Sequence, residues 1–303
     1  MHTTSDKEPC GIITGVQRFS IHDGPGIRTI VFLKGCPLKC RWCHNPETQR
    51  FSPELMINFE KCIGCGACAR VCKNHIIEDG AHSVIRENCT ACGQCVAACP
   101  SALEISGKKV TVDEALKPVF DDIPFYREEG GLTLSGGEPL AQGEFAVALL
   151  KKAKEKGIST AVETCGMCHS DVLLRAAEYT DFFLYDIKET DGERHREFTG
   201  ADNSLILKNL SLLSAVGARV ILRVPVIPTV NDREEHFAAV GRIADENSAV
   251  CSVEILPYHR AGNPKYPKVG LDATEFPVPS REDSERYVSL VAKNTSKPVK
   301  LKV

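Results

Sequence analysis

The chain has 303 residues, 43% of them apolar and 25% charged, and a formal net charge of -3. That composition excludes a disordered chain or a fibre, and so small a charge gives no support to nucleic-acid binding or recruitment by a membrane surface. No apolar run reaches the length of a membrane span, and residues 1–20 lack the basic start and apolar core of a signal peptide, so a cytoplasmic protein without nucleic-acid or membrane partners is expected.

The length suits one large domain carrying an inserted module. Fifteen cysteines depart from this ordinary picture. In a reducing compartment, thiols in short repeated spacings point to metal or redox chemistry rather than disulfides. Only Cys10, Cys165, Cys168 and Cys251 stand outside three tight clusters, and an isolated cysteine is more often a small buried apolar residue than a ligand.

In chain order, "HDGPGIR" is followed by a strand candidate, "IRTIVFLKG" (27–35), and then by "GCPLKCRWCHNPE". The last places Cys36, Cys40 and Cys43 in a CxxxCxxC spacing. Three thiolates hold three irons of a [4Fe-4S] cluster and leave the fourth free, and an open coordination position separates a catalytic metal site from a closed structural one. Next come two copies of CxxCxxCxxxC, with Cys62, Cys65, Cys68 and Cys72 in the first and Cys89, Cys92, Cys95 and Cys99 in the second. This repeat marks a module at 58–106, interrupting a domain formed by 1–57 and 107–303.

In the bacterial ferredoxin pattern the fourth cysteine of one run serves the other cluster. One cluster is therefore expected on Cys62, Cys65, Cys68 and Cys99, and the other on Cys89, Cys92, Cys95 and Cys72. The second run ends in Cys99-Pro100 as that pattern does, whereas the first ends in Cys72-Lys73. Tetrahedral zinc is the alternative, but zinc sites usually separate two CxxC pairs by a longer loop. Fully ligated clusters move electrons and leave no position for a substrate.

Beyond the module, strand candidates at 131–138, 159–166, 181–188, 218–228 and 251–258 alternate with helical segments such as "EFAVALLKKAKEKG", which stop at glycine. Six strands alternating with helices predict a parallel α/β sheet, either open or part of a barrel. Functional groups should then gather at the carboxyl ends of the strands. Those ends read Cys36, Glu138, Glu163 with Thr164, Asp186 with Lys188, Arg223, and His259.

The CxxxCxxC spacing resembles the radical S-adenosylmethionine superfamily, and "SIHDGPGIRTIVFLKGCPLKCRWCHNPE" resembles the activating enzymes of glycyl radical enzymes. The likeness covers nearly the whole chain, with "LTLSGGEP", "VETCG", "YDIK" and "LRVPVIPTVND" in the expected order. The two-cluster module is similar to that of the larger branch of the family, which the compact activator of pyruvate formate-lyase lacks.

The resemblance implies a partial (β/α)6 TIM-like barrel with an inserted ferredoxin-like bis-[4Fe-4S] module. It also implies three [4Fe-4S] clusters, one of which binds S-adenosylmethionine through its open iron. Reductive cleavage there would give a 5'-deoxyadenosyl radical that takes hydrogen from a glycine of a partner glycyl radical enzyme. Flavodoxin or ferredoxin would donate the electron to a monomeric activase in an anaerobic cytoplasm.

By the same resemblance, Gly136, Gly137 and Glu138 would bind the methionine amino group, and Glu163, Thr164, Asp186 and Lys188 would lie near the methionine moiety. Arg223 and His259 would reach the ribose, adenine or carboxylate edge. Trp42 and His44 would pack against cluster or adenine, and Asp23 would meet the glycine-bearing peptide on a loop shaped by Gly24, Pro25 and Gly26. In the compact activator the position of Glu163 is aspartate, in a carboxylate pair that helps hold a monovalent cation; glutamate sets that charge one methylene further out. Two other readings compete: the same radical chemistry on a small molecule or other peptide, and a non-catalytic iron-sulfur electron carrier.

Overall fold

The structure, a computed structural model, describes residues 8–302; residues 1–7 and 303, assigned above to the outer domain, lie outside the described residues. Thirteen strands are described, β1 (Cys10–Ser20), β2 (Arg28–Leu33), β3 (Glu54–Ile57), β4 (His75–Glu78), β5 (Ala81–Val84), β6 (Leu103–Ser106), β7 (Lys108–Thr111), β8 (Gly131–Gly136), β9 (Ser159–Thr164), β10 (Phe182–Asp186), β11 (Val220–Val226), β12 (Val250–Pro257) and β13 (Val299–Leu301). Nine of them form one sheet in the order β13-β12-β11-β10-β9-β8-β2-β1-β7.

The six strand candidates correspond to β2 and β8 to β12. They pair in parallel and in sequence order without reversal. The interiors of β2, β8 and β10 are buried on both faces, whereas β12 leaves Cys251 exposed. The helices between them cover the sheet. Gly143–Glu155 buries Phe145, Ala146, Leu149, Leu150 and Ala153, one helical stripe, and Ser204–Ala215 buries Ile206, Leu210 and Leu213. Val112–Asp121 opens with a capping box in which Thr111 and Glu114 satisfy each other's backbone N–H, a cap worth about 1 kcal/mol.

The sheet is larger than the six strands expected. β1 lies antiparallel against β2, from Ile13 opposite Leu33 to Ser20 opposite Arg28, and β7 pairs antiparallel with β1. β1 escapes a search for apolar runs because much of it stays half-exposed or exposed and it contains Gly11 and Gly15. β13 adds a short parallel strand at the far edge.

Residues 58–102 leave and return through a narrow neck. β3 and β6 pair antiparallel, Glu54 opposite Ser106 and Ile57 opposite Leu103, and a separate small core joins Leu55, Ile57 and Leu103 to Cys68 and Cys95. The neck is anchored to β2 by a buried ion pair, Lys34 Nζ to Glu54 Oε1 at 2.8 Å, with Lys34 also donating to the Glu47 carbonyl at 2.6 Å.

Candidate functional site

The loop leaving β2 carries Cys36, Cys40 and Cys43, and main-chain bonds fix its course. Gly35 N donates to Thr48 O at 2.7 Å, Cys36 N to Gln49 O at 3.0 Å, and Lys39 N to Thr199 O at 2.7 Å. Lys265 Nζ ties its far limb through Asn45 Oδ1 at 2.7 Å and Glu47 Oε1 at 2.8 Å. Trp42 turns into an apolar cluster with Ile227, Val230, Tyr258 and Phe276 and is only 6% exposed. It thereby anchors the middle of the loop.

Burial pushes the Cys40 thiol up to about 12 and raises Cys43 as well. Cys36 is held below the ordinary thiol range, first by a hydrogen bond with Cys165 and against its own burial. Three soft donors, half-buried on one loop beside the Lys188 ammonium that lowers all three, suit thiolate ligation of an iron-sulfur cluster, because a metal displaces the protons that desolvation retains.

The "SGGE" turn presses against this loop. Gly136 adopts φ +120, and a Cβ there would fall 2.2 Å from Leu33 O; one on Gly137 would fall 2.4 Å from Gly35 O. Only glycine permits that approach, which brings Gly137 N to Leu33 O at 2.9 Å and Glu138 N to Gly35 O at 2.8 Å. The Glu138 side chain is fully buried with both oxygens engaged. Oε1 accepts from Leu140 N at 3.0 Å, while Oε2 accepts from Thr164 Oγ1 at 2.8 Å, Cys165 N at 2.9 Å and Cys165 Sγ at 3.1 Å. Glu138 thus welds the exits of β8 and β9 together, and burial raises its pKa.

A row of charge crosses the neighbouring strands. Asp186, Arg223 and Glu254 are register partners on β10, β11 and β12. Arg223, 3% exposed, donates through Nη1 to Glu163 Oε1 at 2.7 Å, Nε to Glu254 Oε2 at 3.1 Å and Nη2 to His22 O at 2.6 Å, with Asp23 Oδ1 3.8 Å away. Burial opposes its charge, but Glu163 and Glu254 outweigh that and raise its pKa. Glu163 Oε2 also accepts from Ser135 Oγ at 2.5 Å. Burial and then Glu163 raise the pKa of Asp23, against Ser20 and Arg223.

Asp186 and Lys188, an exposed pair if read from sequence alone, form a largely buried ion pair at 2.7 Å. Burial works against the Lys188 charge, yet Asp186, Cys40 and Cys165 keep its pKa well above the ordinary lysine value. His259 lies on the surface, its ring 4.2 Å from that of His44, whose Nε2 stands 3.1 Å from the His259 carbonyl.

Three contributors escape a reading by strand ends. Glu254 is the lone acid inside "CSVEILPY", a signal available in retrospect. Arg28, fully buried, donates to the carbonyls of Pro25, Glu129, Leu132 and Ser159 and to Thr133 Oγ1, clamping the "DGPGIR" loop that bears Asp23. Cys165 is the third. Of the four isolated cysteines, Cys165 and Cys168 are buried as expected, but Cys10 and Cys251 are exposed. Both sit on strands that solvent reaches from one side.

In the module, a cavity of about 180 Å³ is lined by Cys62, Cys65, Cys68 and Cys99. A smaller one of about 30 Å³ is lined by Cys72, Cys89, Cys92 and Cys95. These are the crossed sets, each with soft donors around a space and no acidic side chain in the lining.

Residues 22–207 match a family model described as "4Fe-4S single cluster domain". The isethionate sulfite-lyase activating enzyme of Nitratidesulfovibrio vulgaris is 44% identical, over 98% of this chain and 99% of that one. The choline trimethylamine-lyase activating enzyme of Oleidesulfovibrio alaskensis is 40% identical, over 93% of this chain and 95% of that one. Among solved structures, a radical SAM methyltransferase from Sphaerobacter thermophilus superimposes with a TM-score of 0.53 at 16% identity, covering 90% of this chain and 66% of that one; that likeness concerns the fold alone. Among the described residues, no helix is long and apolar enough to cross a membrane.

Proposed function

Because the chain belongs to the activating enzymes of glycyl radical enzymes within the radical S-adenosylmethionine family, we propose that it acts on a partner glycyl radical lyase or dehydratase and takes hydrogen from one glycine of that protein. The observation that carries the proposal is the three-thiol loop at the exit of β2, backed by strand ends that supply a carboxylate, a lysine and an arginine on one side of it. When bound, a [4Fe-4S] cluster on Cys36, Cys40 and Cys43 would deliver one electron to S-adenosylmethionine, yielding methionine and the 5'-deoxyadenosyl radical that attacks the glycine.

The chain's own residues prepare the place. Lys188 sets positive charge beside the half-buried thiols and suits the carboxylate end of the methionine moiety. Gly136 and Gly137 leave backbone rather than side chain facing the cysteine loop. Glu138, with both oxygens committed to Leu140, Thr164 and Cys165, acts as a positioning residue for that rim. Arg223 links the cofactor side, through Glu163, to the main chain at His22 and so to Asp23, for which we propose contact with the incoming peptide. Glu163 and Asp186 already have Arg223 and Lys188 as cationic partners, which leaves no carboxylate pair free for a monovalent cation, and His259 with His44 would close the adenine side.

For the architecture we propose a partial (β/α)6 barrel formed by 1–57 and 107–303, with a ferredoxin-like insertion at 58–106. The unreversed strand order β2-β8-β9-β10-β11-β12 and the β3–β6 neck support it. Two further [4Fe-4S] clusters on the crossed cysteine sets would pass electrons inward from flavodoxin or ferredoxin to a monomeric activase.

The test is anaerobic reduction with S-adenosylmethionine. 5'-Deoxyadenosine should form, and Cys36→Ala should abolish it; undiminished cleavage in that variant would sink the triad assignment. Adding the cognate partner should produce a glycyl radical doublet in electron paramagnetic resonance, and cofactor cleavage without that doublet would argue for a small-molecule substrate.

A further inference from the structure

Two histidines stand between the two four-cysteine cavities and belong to neither ligand set. They come from "HIIEDGAHSV", a hairpin of β4 and β5 turned at Asp79 (φ +50) and Gly80 (φ +80), the left-handed pair that an Asp-Gly hairpin turn uses. The register sets Ile77 opposite His82 and His75 opposite Val84. Alternate residues His75, Ile77, His82 and Val84 therefore share the face that packs on the cysteines. His82 lines the cavity of Cys62, Cys65, Cys68 and Cys99, and His75 lines that of Cys72, Cys89, Cys92 and Cys95.

The rings touch each other and two cysteines, His82 Nε2 lying 3.8 Å from Cys68 Sγ as well. His75 Nδ1 is 2.8 Å from His82 Nε2, and His82 Nδ1 is 3.4 Å from Cys62 Sγ. A thiolate ligand carries no proton, so in a loaded site Cys62 only accepts. The shorter of the two sulfur contacts, that to Cys62, places the His82 proton on Nδ1, which leaves Nε2 to accept from Nδ1–H of His75. The second set has no equivalent, since among the described residues no histidine nitrogen is within hydrogen-bond reach of Cys72, Cys89, Cys92 or Cys95.

We propose that His82 tunes the module. Its N–H···S bond to Cys62 stabilises the more negative, reduced state of the cluster held with Cys65, Cys68 and Cys99, raising that cluster's reduction potential above its neighbour's. An electron entering the module therefore rests preferentially on the Cys62 side. His75 is a positioning residue that fixes the His82 tautomer. The inference rests on the reading of the eight module cysteines as two cluster ligand sets.

The experiment uses the full chain with Cys36, Cys40 and Cys43 changed to alanine, so that only module clusters give signals, reconstituted anaerobically and titrated under electron paramagnetic resonance. His82→Leu should lower the potential of one cluster alone, shifting the electron's distribution between the two about tenfold, or about 59 mV for a one-electron couple. His82→Gln, which keeps an N–H donor, should recover most of that shift, and His75→Leu should give a smaller shift in the same direction. Unchanged potentials in His82→Leu with full iron would overturn the tuning role while leaving the cluster reading intact. Loss of iron would also overturn it, making His82 a ligand, as the gathering of Cys68, His75 and His82 donor atoms within 4.8 Å would then signify. If the chain with intact histidines takes up no iron in its module, the cluster reading falls and the proposal with it.

Discussion

Arg223 should be needed by the protein before any cofactor arrives. Its guanidinium holds Glu163 at 2.7 Å, Glu254 at 3.1 Å and the His22 carbonyl at 2.6 Å, with 3% of the residue exposed. Arg223→Met would fill much of the volume but leave two carboxylates and Asp23 without their cation. Breaking a buried pair in this way costs about 3–5 kcal/mol. With an unfolding entropy of about 2.1 cal/mol/K per residue, 303 residues give roughly 0.6 kcal/mol/K, so the apo chain should melt about 5–8 °C lower. Arg223→Lys retains the charge but, as a single ammonium, cannot span three acceptors and should fall between the two. The double variant Arg223→Met with Glu163→Gln should be less destabilised than the sum of its parts, by about 1–2 kcal/mol. Thermal denaturation of the apo chains by circular dichroism measures all of this. An Arg223→Met chain that melts with the parent would refute the reasoning and leave Arg223 as a ligand contact only.

Glu189 supplies a pH test. Burial alone would raise its pKa, but His236, the Asp191 N–H and Arg233 carry it down to about 2. A depressed carboxylate contributes stability above its unfolded pKa, near 4.3, and loses it as pH falls towards 2; the gap is worth about 3 kcal/mol. Urea unfolding of the apo chain should show the parent's advantage over Glu189→Gln shrinking by that order across this window, and a constant difference would dismiss the assignment. Gly137→Ala, whose Cβ would strike Gly35 O at 2.4 Å and Thr48 O at 2.9 Å, should displace the cysteine loop and cut 5'-deoxyadenosine formation by an order of magnitude or more, while the iron bound by the module is retained; full turnover would show that the contact yields. Cys99→Ala should destroy the cluster of the first run rather than that of the second, and spectroscopic loss of the other cluster would reverse the crossed assignment.

β10 was legible because its interior is buried on both faces, and the apolar run at 182–185 announces that without knowledge of its neighbours. β1 was not legible: its burial is one-sided and irregular, so its polar positions look like loop until β2 is in place beside it. Cysteine spacing survives as a local signal because three of the four cysteines around each module cavity belong to one short run. Partner choice among charges does not. That Arg223 would meet Glu254 follows from the register of β11 and β12, and that Arg28 would spend its donors on main-chain carbonyls follows from a loop folding back over β8 and β9. Glu138 is legible by its position at the exit of β8, while the inward commitment of both its oxygens is a matter of packing.

The neck at β3 and β6 bears on how such a chain is assembled over evolutionary time. Because Met56 stands opposite Glu104 and Ile57 opposite Leu103, everything between them occupies, for the remainder of the molecule, the place of a hairpin turn. A cassette hung from two adjacent strand ends is exchanged or shortened without rerouting any strand of the main sheet, and the entropic cost of closing the connection grows only with the logarithm of its length. A chain without the insertion would therefore keep the same main sheet, with β3 and β6 closed directly by a turn.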